Sequence, residues 1–363
     1  MNEPASGTLR ASFAIPGDID APTGGYEYDR RLIAAAPEAG LELSHLPLPG
    51  GFPTPSRDEA AAARATLAAA LAMSRRPILA DGLALGALEP ERWPDGLGER
   101  LVILCHHPLG LETGLLPDQA RAMLETEGRA LRAARSVLTT SRATAATLAA
   151  ELGVDPARIR VAEPGLDPAP RAPRLGDPPL LLGVGTLSAR KDWPTLAAAL
   201  AMLKDRDWRC LIAGDATRDP EAAARLERLL IDEGLDDRVA LPGALRRVQI
   251  ERLYEEADLF CLPSRHEGYG MVVIEAMARG LPVLASDAGA IPEAADGAAL
   301  LLPPGDPAAW AEAIAGLLDD RQARDRMAEA SLARAARAAT WGDAARIAAE
   351  ALAGAAGAGA GTR

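Results

Sequence analysis

Two glutamates, Glu267 and Glu275, flank a glycine-containing turn in the segment SRHEGYGMVVIEAMARG, residues 264–280. The apolar run before this segment predicts a strand, and the residues from Met271 onward predict a helix that ends near Gly280. Glycines let a backbone approach a ligand closely, and the first N–H groups of a helix bind phosphate oxygens. A diphosphate at this helix end would leave one carboxylate on each side for sugar or ribose hydroxyls. The alternative is a surface turn in which Glu275 interacts with the helix dipole.

Two cations, Arg190 and Lys191, follow another predicted strand in GVGTLSARKD, residues 183–192. Cations at a strand end can neutralise a diphosphate leaving group, which gains charge as a glycosidic bond breaks. Lys191 is one of two lysines in a chain that otherwise uses arginine, which favours a specific role. The segment is one residue away from a G-x-G-x-x-G dinucleotide loop, but no suitably placed ribose-binding acid follows it.

Two adjacent histidines, His106 and His107, end the apolar run LVILC in the first half of the chain. At a strand end they could lie near a reacting group, or they could simply cap the strand. The four histidines and three cysteines of the chain show no metal-ligand spacing. The sequence therefore predicts no metal site.

The composition is that of an anionic, helix-rich chain, with a net charge of −12, 48% hydrophobic residues and 3% aromatic residues. Phosphate backbones and anionic lipid surfaces repel such a chain, which argues against nucleic acid as the main partner and against peripheral membrane contact. No apolar run approaches the length of a membrane span, and the N-terminus lacks the pattern of a secretory signal. Three isolated cysteines are typical of a reducing compartment, so we expect a cytoplasmic protein.

Short apolar runs alternate with helical patterns, which is the rhythm of βα units around a parallel sheet. Strands are predicted at ASFAIPG, LELSHLPL, PILAD, LVILCHH, SVLTTS and IRVAEPG in the first half, and at LLLGVGT, RCLIAG, VALPG, LFCLPS and PVLASD in the second. A segment between the halves, residues 163–179, holds six prolines and two glycines and predicts a linker.

This pattern predicts two Rossmann-like α/β domains with parallel sheets that face a central cleft. The expected order is an N-terminal domain over 1–168, a linker over 169–179, a C-terminal domain over 180–335, a terminal helix over 336–352 and a flexible tail over 353–363. We expect the terminal helix to dock on the N-terminal domain.

Segment 264–280 resembles the E-x7-E signature of glycosyltransferase family 4 (GT4), whose fold is the two-domain GT-B architecture. GLPVLASDAGAIPE and LLPPGDPAAWAEAI look like that family's usual continuation. TSRATAATL, VAEPGLD, GVGTLSARKD, LIAGDA, VALPGAL and LYEEADLFCLPS also occur in its order. The resemblance is dense in the second half of the chain and loose in the first.

The resemblance implies a retaining, metal-independent glycosyltransferase without a cofactor. It would move a sugar from a nucleotide sugar, UDP- or GDP-linked, to a hydroxyl of a glycan, a small metabolite or a lipid-linked acceptor. Glu267 would face the transferred sugar, while Lys191 and Arg190 would stabilise the departing diphosphate. Arg190 would substitute for an arginine that many members carry where this chain has Thr186. His106, or His107 in its place, would lie near the reacting sugar.

Further binding residues are implied by the same resemblance. Those on the donor side are Gly24, Gly25, Gly185, Gly214, Gly268, Tyr269, Gly270, Met271, Val272 and Glu275. Those on the acceptor side are Tyr26, Tyr28, Asp29 and His107. The two tyrosines and Asp29 also suit ordinary positions in a helix.

Three other functions stay open on the sequence alone. A nucleotide-sugar epimerase of the same fold would convert its donor without an acceptor. A nucleotide-sugar-binding protein would keep the phosphate site without turnover. A Rossmann-type oxidoreductase would prefer NAD(P) to a nucleoside diphosphate.

Overall fold

The computed structural model describes residues 8–357 of the chain. Its contacts divide the chain into two compact units. Unit 1 combines the residues up to Gly165 with the segment that starts at Ala339, and unit 2 runs from Leu166 to Ala338. Both units are α/β, which confirms the predicted fold class.

The sheet of unit 1 contains six parallel strands within the described residues. These are β1 (Leu9–Pro16), β2 (Leu41–Leu48), β3 (Ile78–Asp81), β4 (Leu101–Cys105), β5 (Ser136–Thr139) and β6 (Ile159–Val161). Their spatial order is β2-β1-β3-β4-β5-β6, so the strand order reverses between β1 and β3. Ligands of open parallel sheets bind outside the carboxyl ends of the strands at such a reversal.

Helices cover the sheet of unit 1. They are α1 (Gly24–Ala35), α2 (Arg57–Met73), α3 (Gly82–Leu85), α4 (Leu97–Arg100), α5 (Pro117–Ala133) and α6 (Arg142–Ala150). Each residue of β4 is buried, as expected for a strand with helices on both of its faces. The helix α1 begins at a Thr23 cap, whose hydroxyl accepts a hydrogen bond from the Tyr26 N–H.

The sheet of unit 2 also contains six parallel strands. These are β7 (Leu180–Val184), β8 (Arg209–Ala213), β9 (Val239–Gly243), β10 (Leu259–Leu262), β11 (Val283–Ser286) and β12 (Leu300–Leu302). Their order is β12-β11-β10-β7-β8-β9, so the reversal lies between β7 and β10. The sequence predicted eleven of the twelve strands and missed β12, because two prolines follow it directly and are typical of a loop.

The helices of unit 2 are α7 (Trp193–Ala201), α8 (Pro220–Asp232), α9 (Arg247–Glu256), α10 (Met271–Ala278), α11 (Ile291–Ala295), α12 (Pro307–Asp319) and α13 (Arg321–Ala335). The largest buried side chains of the unit are the indoles of Trp193, Trp208 and Trp310. They belong to one apolar core that also includes the buried residues of β10 and β11.

The proline-rich segment between β6 and β7 contains no helix or strand. It is nevertheless attached to unit 2. The Ala172 N–H donates to the Arg279 carbonyl at 2.8 Å, and the Asp258 carboxylate accepts from the N–H groups of Gly176 and Leu180. The segment forms no sheet hydrogen bonds, so its backbone N–H groups pair with the Arg279 carbonyl and the Asp258 carboxylate instead.

The last described helix, α14 (Trp341–Gly357), packs on unit 1 against α1, β4 and β5. It starts later than the predicted helix over 336–352 and also includes 353–357, which were expected in a flexible tail. The glycines suggested a frayed end, but Leu352 and Ala355 are buried and hold the last turns in place. The rest of the predicted tail, 358–363, lies outside the described residues.

Within residues 8–357, no helix has both the length and the apolar character needed to cross a bilayer.

Candidate active site

Three predicted catalytic residues of unit 2 come together after β7 and β10. Lys191 Nζ lies 2.6 Å from Glu267 Oε1, and Arg190 Nη1 lies 3.2 Å from Glu267 Oε2. The two loops are also joined through the backbone, since the Arg265 N–H donates to the Arg190 carbonyl at 2.8 Å. The strand reversal therefore brings together side chains that lie far apart in the sequence.

The charges of this cluster keep Glu267 ionised. Burial raises the pKa of the Glu267 carboxyl, but the positive charges of Lys191 and Arg190 outweigh that effect and bring the pKa to about 2. Glu267 and Lys191 are both buried. Buried charges are tolerated when they are paired and hydrogen-bonded, and here each of the two cations faces the same carboxylate.

Glycines allow the chain to pack closely around the cluster. A Cβ at Gly185 would lie 2.8 Å from Lys191 Cε, and a Cβ at Gly214 would lie 1.8 Å from the Gly185 carbonyl oxygen. Any side chain at either position would displace the loop or the lysine. Both glycines are predicted donor-side residues, and the close contacts give them a definite structural role beside Lys191.

The helix α10 begins immediately after this cluster. Gly270 precedes its first residue, Met271, and has a φ of +95°, which non-glycine residues rarely adopt. The Tyr269 ring is buried in a small apolar cluster with Ile274 and Ala294. The predicted donor contacts of Gly268, Gly270, Met271 and Val272 stay predictions.

The second glutamate of the signature, Glu275, is held by two residues that sequence reasoning missed. Its Oε1 lies 2.5 Å from Arg247 Nη1, and its Oε2 accepts from the Tyr254 hydroxyl at 3.1 Å. Burial and the nearby Glu275 carboxylate raise the pKa of Tyr254 well above its usual range. Arg247 is the first residue of α9 and ends the stretch LPGALRR. A cation at that position was the only feature of the sequence that could have indicated a partner for Glu275.

In unit 1 the structure groups His106 with two buried aspartates. His106 Nε2 lies 3.2 Å from Asp29 Oδ1. Asp81, the last residue of β3, contributes a further carboxylate, and one ligand atom from each of the three residues lies within 4.8 Å of the others. Asp81 was not singled out from the sequence, because a lone acid at the end of the strand PILAD has no motif.

Burial raises the pKa of both aspartates in this cluster. Burial, followed by the charge of Asp29, raises the pKa of Asp81 to about 7. Burial also raises the pKa of Asp29, even though His106 opposes that effect. Burial lowers the pKa of His106, but its hydrogen bond to Asp29 and the two carboxylate charges outweigh burial and raise it. Two carboxyls and one imidazole are a ligand set that a divalent cation could use; the expected absence of a metal stays a prediction.

The tyrosines predicted on the acceptor side are buried. The Tyr26 hydroxyl donates to the Pro16 carbonyl at 2.6 Å, and the Tyr28 hydroxyl donates to the Ala162 carbonyl at 2.9 Å. Both rings therefore contribute to the packing of unit 1, and an acceptor contact stays a prediction for each.

The helix α1 opens with Gly24 and Gly25, and Gly25 lies beside His106. A Cβ at Gly25 would lie 3.4 Å from His106 Cδ2, so this glycine brings the helix start close to the imidazole. The neighbouring His107 lies 3.2 Å from the Glu112 carboxylate through its Nε2. The structure thus pairs each histidine of the doublet with a different acid.

The chain matches two family models. The model described as "Glycosyltransferase Family 4" matches residues 34–170, and the model described as "Glycosyl transferases group 1" matches residues 169–334. A D-inositol 3-phosphate glycosyltransferase of Xylanimonas cellulosilytica is 30% identical over 280 residues, which are 72% of this chain and 66% of that protein. Across several curated relatives, the matched part spans about half to two thirds of the relative's length.

Solved structures show the same fold. Sucrose-phosphate synthase from Thermosynechococcus elongatus superposes with a TM-score of 0.77 at 22% identity, over 94% of this chain and 98% of that one. HepE from Anabaena in complex with UDP-glucose gives a TM-score of 0.75 at 20% identity, over 94% and 99% of the two chains. The two family models and these structures confirm the resemblance seen in segment 264–280: the chain belongs to glycosyltransferase family 4 and has the GT-B fold.

Proposed function

We propose that this protein is a retaining, metal-independent glycosyltransferase that moves a sugar from a nucleoside-diphosphate sugar to an acceptor hydroxyl. The diphosphate would bind in unit 2 at the carboxyl ends of β7 and β10. The observation that carries this proposal is the buried cluster of Arg190, Lys191 and Glu267, which immediately precedes α10 at the strand reversal.

The charge balance of the cluster suits a diphosphate leaving group. Two cations face one ionised carboxylate, so the three side chains carry one net positive charge. Because Glu267 holds the buried Lys191 by a 2.6 Å contact, the ammonium group is oriented before the reaction starts. A charge that is already in position stabilises a transition state without reorganisation. Lys191 therefore has the environment of a leaving-group stabiliser.

The helix α10 would complete the donor site. Its free N–H groups and the positive end of its dipole favour phosphate oxygens. Glu275 lies farther along the same helix and offers a carboxylate to ribose hydroxyls. Its contacts with Arg247 and Tyr254 hold that carboxylate in one orientation.

The proposed reaction breaks one C–O bond and forms another at the anomeric carbon. The bond to the diphosphate breaks with its electron pair on the leaving oxygen, and the acceptor oxygen bonds to the same face of the sugar. The acceptor proton passes to the departing phosphate. The charge that develops on the diphosphate is the one that Lys191 and Arg190 would stabilise.

The nucleotide and the acceptor are proposed by class. HepE, which shares the fold, was solved with UDP-glucose, and this makes UDP the first nucleotide to test and GDP the second. The acceptor would be a hydroxyl of a glycan, a small metabolite or a lipid-linked molecule. On this proposal the nucleotide sugar is a substrate, and no separate cofactor is needed.

A ligand screen by thermal shift tests the donor class. The protein would be mixed with UDP, GDP, ADP, their common sugar conjugates and NAD(P), each with and without EDTA. We expect stabilisation by one nucleoside diphosphate and its sugar conjugate, unchanged by EDTA. Stabilisation by NAD(P) alone would overturn the proposal, and a shift abolished by EDTA would overturn its metal-independent part.

Turnover of the donor that binds then tests the reaction. We expect sugar transfer to depend on an added acceptor, and the anomeric configuration of the product, read by NMR, to match that of the donor. Conversion of the donor without any acceptor would indicate an epimerase. Tight donor binding with no turnover across an acceptor panel would indicate a binding protein.

A further inference from the structure

We propose that Asp29 is a positioning residue, which accepts a hydrogen bond from His106 Nε2–H and thereby presents Nδ1 of the same ring as an acceptor for a sugar hydroxyl. The inference rests on the proposed function for the identity of the ligand. Its structural part, the fixed state of the imidazole, stands independently of any substrate.

The hydrogen bond defines which ring nitrogen carries the proton. Nε2 of His106 lies 3.2 Å from Asp29 Oδ1. When Asp29 is ionised, its carboxylate only accepts hydrogen bonds, so a neutral imidazole in this contact then carries its proton on Nε2. Nδ1 then has a free lone pair and can accept a hydrogen bond from a hydroxyl.

The packing defines which edge of the ring can meet a ligand. The edge formed by Cδ2 and Nε2 faces the start of α1, where a Cβ built on Gly25 would lie 3.4 Å from Cδ2 and 3.6 Å from Nε2. In an imidazole, Nδ1 lies on the opposite side of the ring from Cδ2. The contact with α1 and the contact with Asp29 therefore use the same edge and leave Nδ1 on the other one.

Exposure separates the roles of the two residues. The His106 side chain is 20% exposed, whereas the Asp29 side chain is fully buried. A ligand can therefore reach the histidine but not the aspartate, so any effect of Asp29 on a substrate must pass through His106. Tyr28 restrains the imidazole further, because the two rings pack edge to face with their centroids 5.3 Å apart.

The other charged groups around the pair come from three elements. Asp81 lies at the end of β3 and acts electrostatically on both His106 and Asp29. Arg30 on α1 and His45 on β2 act on Asp29 and oppose the rise of its pKa. Asp29 supports the imidazolium form of His106 more strongly than the others, since it alone adds a hydrogen bond to the charge interaction.

The chain contains a matched control pair. His107 and Glu112 are also a histidine and an acid at 3.2 Å, joined through Nε2, but the Glu112 side chain is 42% exposed. Glu112→Gln therefore removes an equivalent charge beside the neighbouring histidine. It leaves the contact between Asp29 and His106 intact.

The test is long-range ¹H–¹⁵N NMR on the full chain labelled at histidine. Only four histidines contribute signals, and His106→Gln assigns the relevant one. In the wild type, at a pH above the raised pKa of His106, we expect the neutral ring to carry its proton on Nε2. In Asp29→Asn we expect its pKa to fall by about 1 unit, as after removal of one close opposite charge. Glu112→Gln should change neither the tautomer nor the pKa of His106.

Kinetics connect the ring to the substrate. Asp29→Asn should lower kcat/KM for sugar transfer by about 10- to 100-fold, the size of loss seen in metal sites when a partner that orients a histidine is removed. The acidic limb of its pH profile should move to lower pH. Stabilisation by the nucleoside diphosphate should persist, because the proposed diphosphate site belongs to unit 2.

Two results would overturn the inference. One is a wild-type His106 whose neutral form carries its proton on Nδ1, and this decides the matter even if Asp29→Asn fails to fold. The other is an Asp29→Asn variant with an unaltered tautomer, pKa and pH profile. The absence of a nucleoside-diphosphate shift in the wild type would instead contradict the proposed function, so the two failures are distinguishable.

Discussion

The two strand reversals of this chain carry clusters with opposite charge balance. In unit 2, the Glu267 carboxylate faces the two cations of Lys191 and Arg190, and its pKa falls to about 2. In unit 1, the Asp29 and Asp81 carboxyls face one imidazole, and the pKa of Asp81 rises to about 7. Both sites are buried parallel-strand ends, so burial alone does not explain the contrast.

The difference shows that the number of compensating cations decides what a buried carboxyl does. With two cations nearby, Glu267 keeps its negative charge, and the cluster holds fixed charges in a fixed geometry. With one imidazole shared between two acids, the unit 1 cluster retains a proton near neutral pH instead. The first arrangement suits stabilisation of a leaving group, and the second suits a hydrogen-bonded pair that responds to pH.

Removal of the buried ammonium should have the largest effect on catalysis. We expect Lys191→Met to lower the rate of sugar transfer by about 10²- to 10³-fold, because the developing charge on the diphosphate loses its oriented cation. The measurement is kcat with a saturating donor. The chain's other lysine supplies the control: Lys204→Met removes an exposed cation paired with Glu233 and should keep the wild-type rate. Equal rates in both variants would contradict the role of Lys191.

Neutralisation of the buried carboxylate should have the largest effect on stability. Glu267→Gln leaves Lys191 without its charged partner, and we expect a loss of about 3 kcal/mol in the free energy of unfolding at pH 7. The folded pKa of Glu267 is lowered, so its stabilisation is present above the unfolded value near 4.5 and is lost as pH falls towards about 2. Urea unfolding at pH 7 and at pH 3 should therefore show a smaller difference at the lower pH.

The same type of substitution in unit 1 should stabilise the protein instead of destabilising it. The folded pKa of Asp81 is raised from 3.8 to about 7, so the wild type loses stability as pH rises through that window. Asp81→Asn removes this loss, and its amide oxygen can still accept the hydrogen bond from the Leu83 N–H. We expect it to be more stable than the wild type at pH 8 by more than about 1.4 kcal/mol, the equivalent of one pKa unit, and equal to it near pH 4. A variant that is less stable at both pH values would contradict the contrast between the clusters.

The residues that orient Glu275 should give the smallest effects. We expect Glu275→Ala to weaken nucleoside-diphosphate binding by about tenfold, which corresponds to about 1.4 kcal/mol. Tyr254→Phe removes one hydrogen bond of about 1 kcal/mol to the same carboxylate and should weaken binding about fivefold. Calorimetry would measure both dissociation constants. If Tyr254→Phe weakened binding as much as Glu275→Ala, Tyr254 would have a role in binding beyond its hydrogen bond to Glu275.

The sequence was a good guide to the strands for a physical reason. Apolar runs bounded by turn residues predict strands, and the predicted limits of β2 and β9 match the structure residue for residue, although both are edge strands with exposed residues. The strand β12 was missed because the prolines that follow it directly are typical of a loop. The extent of α14 was missed because its stability depends on packing of Leu352 and Ala355, which composition does not reveal.

Parts of the site were predictable for a similar reason. Glu267 and Glu275 belong to a motif with fixed spacing, and Lys191 follows a predicted strand, so their types and positions could be read directly. Asp81, Arg247 and Tyr254 belong to no motif, and only the fold brings each of them to its partner. Long-range contacts of this kind depend on strand order, which a single sequence specifies only indirectly.

The position of α14 has a consequence for the synthesis of the chain. Unit 1 is assembled from both ends of the sequence, while unit 2 is continuous between them. Because domains fold as their residues leave the ribosome, unit 2 can complete its core before unit 1 receives its last helix. Until then the surface that α14 covers, including the Tyr28 ring that contacts Trp341, stays open to solvent. Translation that stops before Trp341 therefore yields a finished unit 2 joined to an unfinished unit 1.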